Sequence, residues 1–279
     1  MQSPELQDGV KRPCTVAPSV LPPEVLETIA GYISCPTAFM ALLASIPRAA
    51  WTPRLQCLYT LTTVAGVRVR WPTIYLDDVA LPEATWRMLQ SALSLRVEIA
   101  LEGIACSADL LTATNRLGKQ SISRVQLRLT KLAMPECEAL RDALLGCTAV
   151  KALEIEIATD VSRHRPALDA LLTAICHPHL AVFELRLCSA RGPHRLHATF
   201  ARYLAEWLRF GRATSLHLND IDLDLSVDPT LGPALALAFR QSPSLAEVSL
   251  TRVGFFQHCL YETHVGLSWP RRLRALSIQ

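Results

Sequence analysis

The sequence contains little lysine, few aromatic residues and no closely spaced cysteine pair. Only four of its 28 basic residues are lysine, and aromatic residues make up 6% of the 279 positions. The net charge of +3 is too small for the concentrated basic surface of a dedicated nucleic-acid-binding protein. Because half of the residues are hydrophobic and only 19% are charged, a mostly disordered chain is also excluded. We therefore expect a folded protein with an aliphatic core and no nucleic-acid partner.

Cysteine usage and the N-terminal residues indicate an intracellular protein. The nine cysteines are an odd number, and the polar, charged residues 1–13 do not resemble a secretory signal. Reduced thiols in a cytoplasmic or nuclear protein agree with both observations. The longest uncharged run, residues 28–47, contains Pro36 near its middle, which favours two short buried helices over a membrane span. We expect no membrane partner.

One hydrophobic pattern recurs between residues 71 and 278. Two residues separate its first apolar residue from the second, and one residue separates the second from the third; successive copies begin 23 to 33 residues apart. The copies alternate between apolar and polar residues, as in Lys151–Ile157, which is typical of a strand with one buried face. Helical spacing follows, most clearly between Pro135 and Gly146. Residues 66–279 are therefore predicted to hold about eight strand–helix units.

A strand and a helix in about 28 to 33 residues resemble the long leucine-rich repeat of ribonuclease-inhibitor-like proteins. The resemblance implies an α/β leucine-rich-repeat solenoid with a parallel sheet on its concave side and helices outside. Several copies are needed because a single unit cannot cover its own apolar face. The alternative is a doubly wound α/β sheet, whose strands would be apolar on both faces. The polar positions along these strands favour the solenoid.

The first 65 residues lack this repeat. Residues 1–20 are polar and contain several prolines, which predicts a disordered tail. Residues 21–65 open with two prolines that can begin a helix, followed by apolar residues at helical spacing. A second helix is expected over Phe39–Ile46 and a third after Trp51. Residues 21–65 are therefore predicted to form a small helical module.

This module resembles the F-box, a family that opens with Leu-Pro, an acid and helically spaced apolar residues, and often carries a tryptophan near its third helix. The matching residues are Leu21, Pro22, Glu24, Ile29 and Trp51. Together with the repeats, the resemblance implies an F-box/leucine-rich-repeat protein, which is a non-enzymatic, substrate-recruiting adaptor of a cullin-type ubiquitin ligase. The residues implied to bind the Skp-type ligase subunit are Leu21, Pro22, Glu24, Val25, Leu26 and Ile29.

The helical module also has a purely structural explanation. The first repeat of a solenoid must be covered, and a helical module can do this without binding a ligase subunit. The chain would then be a scaffold or regulator that binds its partner without ubiquitin chemistry. The sequence leaves both functions open.

Polar side chains on either side of the third apolar residue of each copy are expected to point into the concave face. Mixed charges there suit a protein target of unknown identity, whereas a phosphate backbone would need a basic surface. Glutamates are expected to make the centre acidic. A solvated face that only keeps the protein soluble is the alternative. The residues expected to contact the target are Tyr75, Glu98, Gln126, Arg128, Glu154, Glu156, Glu184, Arg186, His217 and Asn219.

The sequence offers no catalytic or cofactor-binding motif. A GxSxG nucleophile motif is absent. Leu117–Ser121 only partly matches a phosphate-binding loop, because it lacks the upstream glycine and has Gln120 directly after Lys119, where the loop has Ser or Thr. Zinc needs three or four ligands in tetrahedral geometry, but the residues that could bind zinc lie on separate turns of the predicted units. These candidates, interpreted as solvated loop residues, are Cys176, His177, His179, His194 and His197. We therefore expect no enzyme activity, metal or cofactor.

Overall fold

The computed structural model describes residues 21–159, 161, 164–187, 193–210, 212–224, 228–254, 270 and 272–279. The predicted tail at residues 1–20 lies outside the described residues. Within them, the chain has an α/β fold with a nine-stranded, mostly parallel sheet that does not close. This confirms the predicted α/β class and the parallel sheet.

The helices lie where the periodic segments predict them. None of those in the described ranges is long and apolar enough to cross a membrane. Their bounds are α1 (Pro23–Tyr32), α2 (Pro36–Ser45), α3 (Pro53–Leu61), α4 (Glu83–Leu93), α5 (Ser107–Leu117), α6 (Met134–Gly146), α7 (Arg165–Leu172), α8 (Ala198–Phe210) and α9 (Leu231–Gln241).

The strands of the main sheet follow one another in chain order, β1-β2-β3-β4-β5-β6-β8-β10-β11. Only β1 and β2 are antiparallel, and β7 and β9 form a separate parallel pair. The strands are β1 (Val67–Arg70), β2 (Thr73–Leu76), β3 (Glu98–Ile104), β4 (Ile122–Leu129), β5 (Ala152–Ile157), β6 (Val182–Leu187), β7 (His194–Leu196), β8 (Ser215–Asn219), β9 (Ile221–Leu223), β10 (Glu247–Thr251) and β11 (Ala275–Ile278).

The predicted hydrophobic pattern produces in-register rows of buried side chains. Leu153, Phe183, Leu216 and Val248 are consecutive partners on β5, β6, β8 and β10. All four are fully or almost fully buried. Helices cover this face of the sheet, and each helix from α3 to α9 contacts the next one along the chain. The repeated pattern therefore predicts the core of these four strands correctly.

The register of β3 differs from the prediction. The pattern predicts that Val97 and Val125 are partners on neighbouring strands, but in the structure Leu101 pairs with Val125. The pairing shifts again before Ile104, where Gly103 takes a φ of 67°. Glycine tolerates this left-handed conformation, which is typical of a β-bulge. The bulge was not predictable from the three-residue pattern.

The two ends of the main sheet also differ from the prediction. β1 forms an unpredicted hairpin with β2, so the sheet has one strand more than the eight expected. On β11, Leu276 and Ile278 were expected to be buried but are 41% and 45% exposed. Among the described residues, no helix follows β11 to cover them. The hydrophobic pattern therefore predicts the position of β11 but not the exposure of these two side chains.

The helical module packs onto the first strands of the sheet. Phe39 stacks on Trp71 with ring centroids 4.0 Å apart and planes 5° from parallel. The indole N–H of Trp71 donates to the carbonyl of Ile33. Thr52 caps α3 by accepting from the backbone N–H of Leu55 at 3.2 Å. The three predicted helices are therefore present and share one hydrophobic core with the sheet.

Candidate functional site

The face of the sheet opposite the helices, here called the open face, carries the polar side chains that alternate with the buried ones. All ten residues predicted to contact a target lie on strands of this sheet, and each is partly or fully exposed. The pairing of neighbouring strands places them in two rows. The first row contains Gln126, Glu154, Glu184 and His217, and the second contains Arg128, Glu156, Arg186 and Asn219.

The predicted acidic centre of the open face is neutralised by cations. Arg124 forms an ion pair with Glu154, and Arg128 lies 3.4 Å from Glu156. Burial opposes the charge of Arg124, but the hydrogen bond and attraction of Glu154 outweigh it and raise the pKa of the guanidinium. Each central glutamate therefore contacts a basic side chain, and the expectation of an acidic centre is wrong.

Two further pairs complete this neutralisation. The ammonium group of Lys151 lies 2.6 Å from Glu98, although 53 residues separate them in the sequence. Arg186 pairs with Glu184 two positions earlier on the same strand. Sequence alternation identified the glutamates, but the position of Lys151 just before β5 gave no signal that it reaches across to β3.

A cluster around Arg68 on β1 was missed because the β1–β2 hairpin was not predicted. The guanidinium of Arg68 lies 2.8 Å from a carboxylate oxygen of Asp77 and also pairs with Glu102. It lies over the ring of Tyr75, 5.4 Å from the centroid. The hydrogen bond to Asp77, with the charge of Glu102, raises the pKa of Arg68. Arg68, Asp77 and Glu102 at this end of the open face are therefore also ion-paired.

The open face is different across β6, β8 and β10, where it holds a cavity of about 260 Å³. Leu218 also lines it, but most lining side chains are polar. The carboxamide oxygen of Asn219 is buried and has no hydrogen-bond partner. We call the polar lining residues the polar patch; they are Glu184, Arg186, His217, Asn219, Ser249 and Thr251.

His217 connects the polar patch to the neighbouring strand. Its Nε2 atom lies 2.6 Å from the hydroxyl oxygen of Ser215, which also lies 3.3 Å from Glu247. The same Nε2 lies 3.9 Å from the Glu247 carboxylate. A serine–histidine–acid catalytic triad uses both imidazole nitrogens, one toward serine and one toward the acid. Here a single nitrogen faces both groups, so this arrangement does not have triad geometry.

The outer surface of α1 carries an apolar stripe. Val25, Ile29 and Tyr32 share one side of the helix, because residues three and four apart are neighbours on a helix surface. Leu21, just before the helix, and Val25 are 45% and 40% exposed, and Tyr32 is 79% exposed. We call Leu21, Val25, Ile29 and Tyr32 the α1 stripe.

The structure corrects one residue of the predicted ligase-binding set. Leu26 is only 2% exposed and faces the core, so it does not present a surface to a partner. Leu21, Pro22, Glu24 and Val25 are exposed, and Ile29 is half-buried. The resemblance to the F-box implied Leu26 as part of the binding set, but in the structure Leu26 belongs to the buried side of α1 together with Ala30.

A polar cleft of about 330 Å³ lies beside the α1 stripe. It is bounded by α1, α3 and the residues after α4, including Tyr32 and Arg96. The ion pair between Arg54 and Glu27, at 2.7 Å, lines its wall. The surface around α1 thus combines apolar contacts with charged groups of both signs.

The predicted absence of a metal cluster can be examined only in the described ranges, where no three potential ligands come together. One detail of the prediction is wrong, because His177 is buried and not solvated. Its Nε2 atom lies 2.8 Å from the carbonyl oxygen of Cys147, and its Nδ1 accepts from the backbone N–H of His179 at 3.3 Å. His177 therefore has a structural role between two units.

Comparison with known proteins gives no relative. No protein-family model, no curated protein and no solved structure matches the chain. The function is therefore argued below from the residues and their geometry.

Proposed function

We propose that the chain is a non-catalytic adaptor of a cullin-type ubiquitin ligase, with α1 docking on the Skp-type subunit and the open face holding a protein target. The observation that carries this proposal is the exposed α1 stripe. A helix that only caps a repeat array needs a polar outer surface to remain soluble. Here the outer surface of α1 exposes Leu21, Val25 and Tyr32 instead.

The proposed fold behind this function is a leucine-rich-repeat solenoid. Its support is the strand order, which runs in one direction from β1 to β11. A doubly wound sheet reverses its strand order at a switch point, where its ligand binds. The contacts between successive helices and the in-register buried rows agree with stacked strand–helix units. In such an array the open face is the inner surface, available for a target.

The adaptor proposal is tested by pull-down of a Skp-type subunit with the full chain and two exposed-residue variants. Val25→Asp places a charge in the α1 stripe and is expected to weaken capture at least tenfold. Leu237→Asp is the matched control, because Leu237 is similarly exposed on α9, and it should bind like the wild type. Folding of each variant is checked by circular dichroism. If the folded wild-type chain does not capture the subunit, the ligase function is wrong.

A scaffold that uses the helical module only as a cap has its own support. The stack of Phe39 on Trp71 and the hydrogen bond from Trp71 to Ile33 seal the first strands of the sheet. This function predicts that Val25→Asp leaves both the fold and target capture unchanged. It also predicts no binding of the Skp-type subunit, so the same pull-down separates the two functions.

A further inference from the structure

Polar groups without a bonding partner are distributed unequally over the open face. From β1 to β5 its glutamates are paired with Arg68, Arg124, Arg128 and Lys151. In the polar patch, by contrast, the Asn219 carboxamide oxygen has no partner. Within the part of the chain that the structure describes, the hydroxyls of Ser249 and Thr251 also make no hydrogen bond. A ligand gains most where polar groups are still free to bind it, because an unpaired buried acceptor costs free energy.

The register brings these free groups together. Glu184, His217 and Ser249 are consecutive partners across β6, β8 and β10. Arg186, Asn219 and Thr251 form the next row toward the carboxyl ends of the same strands. Asn219 and Thr251 are thus direct neighbours that share one wall of the cavity. The two rows present donors and acceptors to a ligand lying across the strands.

The charge of the polar patch selects an uncharged ligand. Its arginine, Arg186, is already paired with its only carboxylate, Glu184. An anionic ligand group would face Glu184, and a cationic one would face Arg186, so neither would find a free counter-charge. Side-chain and main-chain amides and hydroxyls offer both donors and acceptors, which match Asn219, Ser249 and Thr251. The cavity of about 260 Å³ holds a few side chains of a peptide, being smaller than most drug-sized ligand sites.

We propose that the polar patch is the target-binding subsite of the open face, and that it takes an uncharged polar peptide segment rich in Asn, Gln, Ser or Thr. This inference rests on one part of the proposed function, namely that the open face holds the target. It does not depend on α1 binding a ligase subunit. The ion-paired part of the open face serves as the surrounding surface and contributes little affinity.

The test uses the immobilised full chain and a phage library of random 12-residue peptides as the probe. Selected peptides are synthesised, and their Kd values are measured by fluorescence polarisation. The double variant Ser249→Ala, Thr251→Val removes two hydroxyls with little change of shape. It should raise the Kd at least tenfold. Glu102→Gln is the control in the ion-paired part, because Glu102 pairs with Arg68 and is not among the residues predicted to contact the target. It should change the Kd less than twofold. Urea midpoints verify that both variants are folded.

Each outcome decides the inference. Peptides enriched in uncharged polar residues, with the expected loss in the double variant, support it. Enrichment of acidic or basic peptides overturns the ligand class, and peptides that lose affinity only with Glu102→Gln overturn the location. If no peptide is selected while the Skp-type subunit is captured, the subsite is wrong and the ligase function stands. If peptides bind the polar patch but the Skp-type subunit is not captured, the subsite stands without the ligase function.

Discussion

At the residue scale, His177 is a buried titratable group whose two nitrogens are both used. Its Nε2–H donates to the Cys147 carbonyl, and its Nδ1 accepts from the His179 backbone N–H. Burial lowers the pKa of His177 below its ordinary value of 6.5, with the nearby His179 acting in the same direction. A proton on Nδ1 would face the backbone N–H of His179, and two donors cannot form a hydrogen bond with each other. The folded chain therefore holds this imidazole neutral.

We predict that His177 makes the fold sensitive to acid. Below a pH of about 6.5 the unfolded chain takes up a proton at this histidine, while the folded chain does so only at a lower pH. The free energy of unfolding therefore falls as pH decreases from neutral toward the lower folded-state pKa. His177→Gln should reduce this loss, measured as the difference between urea midpoints at pH 7.5 and pH 5.5. At pH 7.5 the variant should be about 1–2 kcal/mol less stable, because a buried hydrogen bond is disturbed.

The exposed neighbour of His177 provides the control. His179→Gln should retain most of the acid sensitivity of the wild type, since that imidazole is exposed and burial is the main cause of the lowered pKa of His177. If the wild type and His177→Gln lose equal stability on acidification, His177 is not the source of the acid sensitivity.

Individual open-face residues were predictable, but their partners were not. Period-two alternation predicts that Glu154 and Glu184 point away from the core, because successive strand side chains face opposite sides. The pairing of Glu98 with Lys151 depends on strand curvature, side-chain length and a separation of 53 residues, none of which alternation encodes. The acidic centre expected from single residues is therefore neutralised when the strands come together.

At the scale of elements, an ion pair between the buried Asp220 and the exposed Arg252 joins the ends of β8 and β10. The Asp220 side chain is 2% exposed and pairs with Arg252. The backbone of Asp220 is also fixed, since its N–H donates to the Thr251 carbonyl at 3.0 Å and its carbonyl accepts from the His194 N–H at 2.8 Å. Asp220 thus links β8, β10 and the small β7–β9 sheet. One oxygen of its carboxylate pairs with Arg252, and the other is buried without a hydrogen-bond partner among the described residues.

We predict that removing the cation of this pair is costly. Arg252→Met leaves the Asp220 carboxylate buried without its counter-ion and should lower the free energy of unfolding by about 3 kcal/mol. Arg195→Met is the matched control, because Arg195 is 67% exposed and lies 3.5 Å from Asp222 on the surface of the small sheet. Loss of this exposed pair should lower the free energy of unfolding by less than about 1 kcal/mol. Urea denaturation measures both values.

The double variant Asp220→Asn, Arg252→Met refines this prediction. An uncharged carboxamide needs no counter-ion, and asparagine tolerates the φ of 61° at this position. Part of the stability lost in Arg252→Met should therefore return. A loss in Arg252→Met no larger than in Arg195→Met would show that the pair has no structural role.

Elements were predictable where the hydrophobic period was regular and not elsewhere. β5, β6, β8 and β10 follow the predicted positions because each has alternating apolar residues and a helix behind it. The register of β3 was wrong because Val97, Ile99 and Leu101 are all buried and the pairing with β4 shifts twice, neither of which a fixed spacing distinguishes. β7 and β9 have only three residues each, too few to show a period.

At the scale of the whole molecule, one hydrophobic core runs from the helical module to β10. It includes Leu26 in α1 and Leu250 in β10 without interruption among the described residues. The order of the strands was predictable because stacked units follow one another, whereas the close packing of the module on β2 was not. That contact depends on Phe39 and Trp71, which belong to different sequence patterns. The module and the sheet are therefore expected to unfold together.

We predict that Trp71→Leu destabilises the module and the sheet equally. The change removes the stack on Phe39 and the hydrogen bond to Ile33, and loss of such a buried aromatic side chain costs about 3 kcal/mol. Hydrogen exchange with mass spectrometry at rising urea concentration would follow amides of α2 and of β8 separately. Because the core is continuous, both sets should lose protection at the same reduced midpoint. If α2 exchanges at low urea while β8 retains wild-type protection, the module is an independent unit. It could then be removed without cost to the sheet, which a continuous core does not allow.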